Sequence, residues 1–584
     1  MAQAGVPSER PPPPLHRTRR RRTTSDAVAM HESVSPERWC VNKADLKHLQ
    51  QQLILAIQDG RLQSLLSANS DSEDSEESID DDHFGPSIYA VNEQYIKPVT
   101  AEAGKMSWAL MRNPKGLDCH VFVSHAWQEG IFEFLSKVLA SWPSGARNAW
   151  CCMLANPQHL NIGCMLQSPK SSPFALALQA SRDVLVVPNR HRSVYCRLWC
   201  GYEAFVASED RKVIQVAARP AWRDRRWTLL RASSAIVLGV FMSWLTHTQG
   251  WDLFPEALIA ASLAAFVSVY TSGRVRQAAN YLGLLATTCL EVRFAPIEMR
   301  FRDLPQGVRV AAHHVTWLSA MGFFLVAEVD RVRSMQIASE GQQLRRKYEG
   351  SIRLAACSQQ TDWRNIWEEI GPKVEEVDRA IHVLISAGVS SPALRRAAAL
   401  GVPIEDAGHA ELAVATLVLG PLLLISSLDT VRAFQAATHQ RAPLEEELPW
   451  LALVSAGIGT LVRLIFIGLL LCRAADELLG FRTKRSYMLK VLTKLMPLVF
   501  IPLAVLVGIA MQWENCSSQM ALQMAFTSSH IMMAVGLSFA LIGIEGTLAL
   551  PGGQCLVRYF LARQTCKIWA TENEILESED EPER

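Results

Sequence analysis

The chain has 584 residues, which is too long for one compact domain and predicts roughly three or four structural units. Hydrophobic residues make up 49% of it and charged residues only 20%, so it carries fewer charges than a typical soluble enzyme. The net charge of +1 gives no reason to expect a nucleic-acid partner. Thirteen cysteines are too few and too irregularly spaced for a disulfide scaffold, and we expect free thiols.

Residues 1–100 have the composition of a disordered head. A proline run, a basic run at 17–22 and an acidic run at 71–82 offer little apolar surface to bury. One short amphipathic helix is expected within this head, because Asn42 is a good capping residue and apolar side chains follow it at helical spacing. These side chains are Leu46, Leu49, Leu53 and Ile57.

Residues 112–222 have the alternating sequence pattern of an α/β domain. Short runs rich in β-branched residues alternate with helical patterns, which predicts a parallel sheet covered by helices. The expected fold class is a small doubly wound, flavodoxin-like domain. The predicted strands lie at residues 119–123, 149–154, 183–188 and 212–216.

From about residue 229 onward the sequence is typical of a membrane protein with an all-α transmembrane bundle. A membrane-spanning helix needs about 20 apolar residues, and most of the uncharged stretches approach that length. The candidate stretches are 232–246, 257–273, 310–327, 412–428, 448–471, 495–513 and 515–544.

The distribution of basic residues constrains the topology. Arginines before the first span and basic residues at 473–494 both belong on the cytoplasmic side. An even number of spans must therefore separate them. Because His313 and His314 interrupt the stretch 310–327, we interpret it as a buried or interfacial helix.

Three hairpins with both termini in the cytoplasm result. The predicted units are hairpin 229–273, a cytoplasmic helical insert 274–410, hairpin 411–472, a basic loop 473–494, hairpin 495–545 and an acidic tail 546–584. An eight-span alternative pairs residues 277–290 with 310–327 and keeps the same sidedness.

Two motifs in the α/β segment carry the strongest functional signal. Val121-Phe-Val-Ser-His-Ala-Trp127 ends a predicted strand, and Trp199-Cys-x-x-Glu203 lies in a predicted helix. On these residues the segment resembles a TIR-like domain, in particular the VSHAW variants found in protists. The resemblance covers about 110 residues, a length consistent with one such domain.

The resemblance implies NAD cleavage in some family members and scaffolding in others. In active members the glutamate of the second motif is catalytic, which here is Glu203. Its spacing from Trp199 places both on one helix face, where the indole could stack on a ring and the carboxylate could stabilise a cationic sugar. Ser124, His125 and Trp127 follow the first strand, at the edge where open α/β sheets bind ligands. We assign these three and Trp199 to substrate binding.

Three functions remain open on the sequence. The leading one is a membrane-tethered signalling protein that hydrolyses NAD as its substrate and needs no bound cofactor. The first alternative is a scaffold whose TIR-like domain forms homo-oligomers. The second is a channel or transporter with a regulatory TIR-like domain, for which Arg463 inside a span is the candidate residue. The lipid bilayer is a partner in all three, and no metal site is expected.

Overall fold

The computed structural model describes residues 23–62, 84–402 with short gaps, 404, 539 and 542–561. The gaps are 144, 161–164, 166–167, 191, 221, 251–253, 272, 293–305 and 358. Nearly all of the predicted hairpins 411–472 and 495–545, the basic loop 473–494 and most of the tail lie outside the described residues.

A six-stranded mixed sheet forms the centre of the first part of the chain. Its strand order is β1-β3-β2-β4-β5-β6, and the four inner strands are parallel. The two outer strands pair antiparallel to their neighbours. The strands are β1 (Val41–Asn42), β2 (Val121–Ser124), β3 (Asn148–Cys151), β4 (Asp183–Val186), β5 (Val213–Val216) and β6 (Val389–Ser390).

The predicted α/β class is therefore confirmed, and each predicted strand overlaps an inner strand. In chain order the inner strands are arranged second, first, third, fourth, which is the doubly wound order. The direction of winding changes between β2 and β4. The two edge strands come from outside the predicted domain 112–222, so the sheet draws on a much longer part of the chain.

Helices cover both faces of the sheet. Alternate strand residues point to opposite faces, so Phe122 and Trp150 join one apolar core while Val123 and Cys151 join the other. The helices that precede and connect the inner strands are α1 (Thr24–Ser33), α2 (Lys43–Gln58), α3 (Ile88–Val91), α4 (Lys97–Glu102), α5 (Trp108–Arg112), α6 (Ile131–Ala140), α7 (Cys152–Ala155), α8 (Pro173–Ala180) and α9 (Leu198–Glu209).

The expectation of a disordered head over 1–100 is wrong for the parts of it that the structure describes. Helix α2 begins after Asn42, whose side chain accepts a hydrogen bond from the Asp45 amide, as the capping pattern predicted. Leu49 of this helix and Ile88 of α3 are fully buried against the sheet. These segments are ordered because they pack on a core that lies elsewhere in the sequence.

Four helices after β5 pack together as a bundle. They are α10 (Trp222–Thr248), α11 (Phe254–Tyr270), α12 (Gly273–Val292) and the 40-residue α13 (Gln306–Arg345). Among the described residues, one helix is long and apolar enough to cross a membrane, Arg226–Thr248, and Glu256–Ser268 is a shorter apolar segment.

The bundle corrects the predicted boundary at residue 274. Helices α12 and α13 were assigned to a separate insert, yet α12 packs against both α10 and α13. The Cys289 thiol contacts the Gly239 carbonyl at 3.3 Å, and Asn280 Nδ2 donates to Glu328 at 2.9 Å. This pairing of α12 with α13 is the one that the eight-span alternative uses.

The later part of the predicted insert packs against the α/β domain. Helices α14 (Gln360–Ile370) and α15 (Val374–Ala387) pack beside α9, and β6 completes the sheet edge before α16 (Pro392–Ala399). Near the end of the described residues lies α17 (Gly553–Leu561). The described residues of the predicted insert 274–410 are thus divided between the bundle and the α/β domain.

Gly283 allows the close approach of α12 and α13, because a Cβ at this position would overlap the Phe324 ring. We expect Gly283→Val to lower the stability of the full chain by about 1–3 kcal/mol, as overpacking does. The melting temperature in detergent measures the effect. Leu282→Val is the matched control, since Leu282 is 50% exposed on the same helix. Equal melting temperatures for the two variants would contradict this packing.

Candidate active site at the carboxyl end of β2

Ser124 and Glu203 form the centre of the candidate site. Ser124 is the last residue of β2 and lies beside Val186 of β4, where the winding of the sheet changes direction. Open α/β sheets bind ligands at this position because the loops diverge there. Helix α9 crosses this end of the sheet and carries Glu203 in its second turn.

A short hydrogen bond joins the two side chains. Ser124 Oγ donates to Glu203 Oε2 at 2.5 Å, and the two residues are only 2% and 7% exposed. Burial raises the pKa of Glu203 to about 7, although the Ser124 hydroxyl and the nearby Arg197 guanidinium both act to lower it. Glu203 is thus a buried carboxyl group that gains or loses its proton near neutral pH.

His125 lies deeper, in a pocket of thiols. Its Nε2 is 3.1 Å from Cys152 Sγ and 3.5 Å from Cys151 Sγ. Burial lowers the pKa of His125 to about 3, so the ring is neutral at physiological pH. The same cause raises the pKa of Cys152 to about 12, so this thiol stays protonated.

Glu129 is the unexpected member of this cluster. Its Oε1 lies 3.2 Å from His125 Nδ1, yet neither carboxyl oxygen makes a hydrogen bond, and the residue is 2% exposed. Burial holds the pKa of Glu129 well above its usual range, although the charge of Lys137 acts to lower it. The sequence signal was weak, because a lone glutamate five positions after Ser124 reads as a surface loop residue.

The two tryptophans of the prediction have immediate neighbours other than Glu203. Trp127 is half-buried, packs on Tyr89 and donates to Cys152 Sγ at 3.4 Å. Trp199 packs on Phe174 with ring centroids 5.3 Å apart, and its indole N–H donates to Asp362 of α14 at 3.1 Å. The spacing of Trp199 and Glu203 is helical as predicted, but the indole and the carboxyl group contact different neighbours.

Arg197 is a second residue that the motif reading missed. It immediately precedes α9, and its backbone bridges to Ala356. Its charge lowers the pKa of Glu203 and therefore favours the ionised carboxylate. The position adjacent to the Trp-Cys-x-x-Glu motif was the available signal, because a cation beside a buried acid is a frequent arrangement in functional sites.

The arrangement can hold a proton or a developing positive charge at one buried carboxyl group. Among the described residues no group of three histidine, cysteine or acidic side chains is arranged to hold a metal ion. Both Ser124 and Glu203 are closed off from solvent, so a ligand can reach Glu203 only after a neighbouring segment moves.

Comparisons with known proteins give no match to this chain, either among family profiles, among curated proteins or among solved structures. The likeness to TIR-like domains therefore depends on the motif residues alone.

The pKa of Glu203 predicts a pH-dependent stability. A carboxyl group whose pKa is higher in the folded than in the unfolded state stabilises the fold at low pH, and this contribution is lost as the pH rises through the folded-state pKa. For Glu203 the window runs from about pH 4.5 to about pH 7, and the loss is about 3 kcal/mol.

We expect Glu203→Gln to remove this part of the pH dependence, because glutamine stays neutral. The measurement is the melting temperature of the full chain in detergent between pH 5 and 8. Glu209→Gln is the control, since Glu209 lies at the exposed end of the same helix and pairs with Lys373 at 2.5 Å. Parallel curves for Glu203→Gln and the wild type would contradict the assignment.

Proposed function

We propose that the chain is a membrane-tethered signalling protein whose α/β domain hydrolyses NAD through Glu203. The observation that carries the proposal is the Ser124–Glu203 pair, a buried carboxyl group at the carboxyl end of β2 with a pKa of about 7. The resemblance of the surrounding motifs to TIR-like domains supplies the substrate.

Hydrolysis of NAD requires the protein to stabilise a cationic transition state. The bond between the nicotinamide nitrogen and the ribose carbon breaks, and its electron pair stays with nicotinamide. Water then attacks the ribose carbon, which yields ADP-ribose and releases one proton. The transition state is cationic at the sugar, and an ionised carboxylate nearby stabilises it. Arg197 and the Ser124 hydroxyl both favour this ionised form of Glu203.

The exterior of the helix bundle supports the membrane part of the proposal. Trp227, Val237 and Trp244 on α10 are 61%, 67% and 59% exposed, and many more large apolar side chains on this helix are exposed. Soluble proteins rarely expose a contiguous apolar surface of this kind. Because α10 begins shortly after β5, its first residues must lie on the same side of the membrane as the α/β domain.

The bundle interior is largely apolar but contains a polar cluster around Glu328. Glu328 accepts hydrogen bonds from Asn280 and Tyr281 and pairs with Arg331 at 2.7 Å. Charged groups inside a membrane bundle face each other and pair in this way, because lipid offers them no partner. A buried, fully partnered polar cluster together with an apolar exterior is therefore consistent with helices surrounded by lipid.

The catalytic proposal predicts that Glu203→Gln lowers the rate of NAD hydrolysis by about 100- to 1,000-fold, the usual effect of removing an electrostatic stabiliser of a transition state. Nicotinamide release by the purified full chain measures the rate. Glu209→Gln is the control on the same helix and should keep the wild-type rate.

Ser124→Ala provides a second test, because a variant that only disturbs the fold would not shift the pH dependence of the rate. Because the Ser124 hydroxyl lowers the pKa of Glu203, its loss should move the acidic limb of the pH–rate profile to higher pH. Turnover that survives in Glu203→Gln would refute the hydrolase.

The membrane proposal predicts that residues between α10 and α11 lie on the side opposite the α/β domain. An epitope inserted after Gly250 should resist protease in sealed vesicles whose cytoplasmic face is outward, whereas an epitope at the N-terminus should be cleaved. Cleavage of both epitopes in intact vesicles would contradict this topology.

A further inference from the structure

Helix α13 belongs to both parts of the molecule. Its 40 residues extend about 60 Å. Phe324 and Glu328 pack inside the bundle, whereas Glu340 and Leu344 are buried against the α/β domain. A displacement of the bundle end of a continuous helix is transmitted to its other end.

Lys137 of α6 contacts the C-terminal end of α13. The side chain is fully buried, and its ammonium pairs with Glu340 at 2.7 Å and with Glu133 at 3.0 Å. It also donates to Gln343 and to the Pro188 carbonyl, both at 2.9 Å. Because a buried ammonium is stable only when charged and polar partners surround it, these contacts favour one arrangement of α13, α6 and the segment after β4.

From Lys137 a short series of hydrogen bonds leads to the site. Pro188, which accepts from Lys137, follows Val187, whose amide donates to the Ser124 carbonyl at 2.9 Å. Ser124 in turn donates to Glu203. The same end of α13 is therefore connected to the Glu203 carboxyl group through Lys137, the backbone of Val187 and Pro188, and Ser124.

The residues that follow α13 reach the site from its other side. The Arg346 carbonyl accepts from the Ser193 amide at 2.9 Å, and the Lys347 carbonyl accepts from the Cys196 thiol at 2.9 Å. Ser193 and Cys196 lie in the segment that leads into α9. The end of α13 thus holds both chain segments that border Ser124 and Glu203.

Gly341 permits this docking. A Cβ on Gly341 would lie 2.5 Å from the Ile385 carbonyl oxygen of α15, which is closer than any side chain tolerates. The close approach positions Glu340 and Gln343 over Lys137 rather than at the surface.

We infer that α13 is a regulatory latch: docked on Lys137, it keeps the Ser124–Glu203 site closed, and a movement of the bundle that withdraws α13 opens the site. The inference rests on the proposed function of that site, and its first readout is independent of catalysis. Two segments bordering one buried carboxyl group are fastened to one helix, which makes them the parts that must move to admit a ligand.

The test weakens the latch without touching the site. Glu340→Gln in the full chain, reconstituted in lipid nanodiscs, leaves Lys137 with Glu133 as its counter-ion, so the fold is retained. Hydrogen exchange of the segments 183–190 and 191–203 should become about fivefold faster or more, the lower end of typical coupling between sites. Arg345→Gln removes a charge from an exposed position on the same helix and should leave exchange unchanged.

Gln343→Ala serves as a second variant, because it removes only a neutral hydrogen bond and should act in the same direction with a smaller effect. Nicotinamide release is measured in parallel and should rise in both variants. Faster exchange without any turnover supports the latch and refutes the hydrolase. Exchange at the wild-type rate in both variants overturns the latch, whatever the turnover.

Discussion

The buried ammonium of Lys137 is the constraint that links the described α/β domain to helix α13 of the bundle. A charge removed from water is tolerated only when acidic and polar partners surround it. Lys137 finds these partners on its own helix, on the loop after β4 and on α13, which follows more than 200 positions later in the chain. Lys137 therefore joins the α/β domain to α13 at a buried point, beside the apolar packing of Leu344 and the backbone hydrogen bond from Ser193 to Arg346.

The site depends on the same arrangement. Glu203 is buried between the sheet and α9, and this burial is what raises its pKa to about 7. A surface glutamate would be ionised and solvated at neutral pH, and it would stabilise a developing positive charge far less. Closure of the site and tuning of its carboxyl group thus have one physical cause. A ligand can then reach the carboxyl group only when a neighbouring segment moves. The end of α13 contacts two such segments, the one after β4 and the one that leads into α9, through Lys137 and Arg346.

Local patterns predicted much of the fold. The inner strands and the helix cap at Asn42 follow from hydrophobic periodicity and capping preferences within a few residues, and the α/β class follows from the alternation of strands with helices. The edge strands β1 and β6 were not predictable, because each has only two residues and gains its partner from a distant segment. The head was misjudged for the same reason. Its own composition cannot form a core, but Trp39 packs into the core on one face of the sheet and Leu49 into the core on the other.

The sequence by itself determined that Ser124 ends a buried strand, that Glu203 lies on a helix beside it, and that apolar helices follow. These are properties of short windows with a regular period. Only the tertiary structure decided which groups meet: it joined Ser124 to Glu203, turned Trp199 toward Phe174 and Asp362, and placed Glu340 on Lys137. Such contacts depend on how segments far apart in the chain bury their charges and apolar faces together, and no local pattern records that.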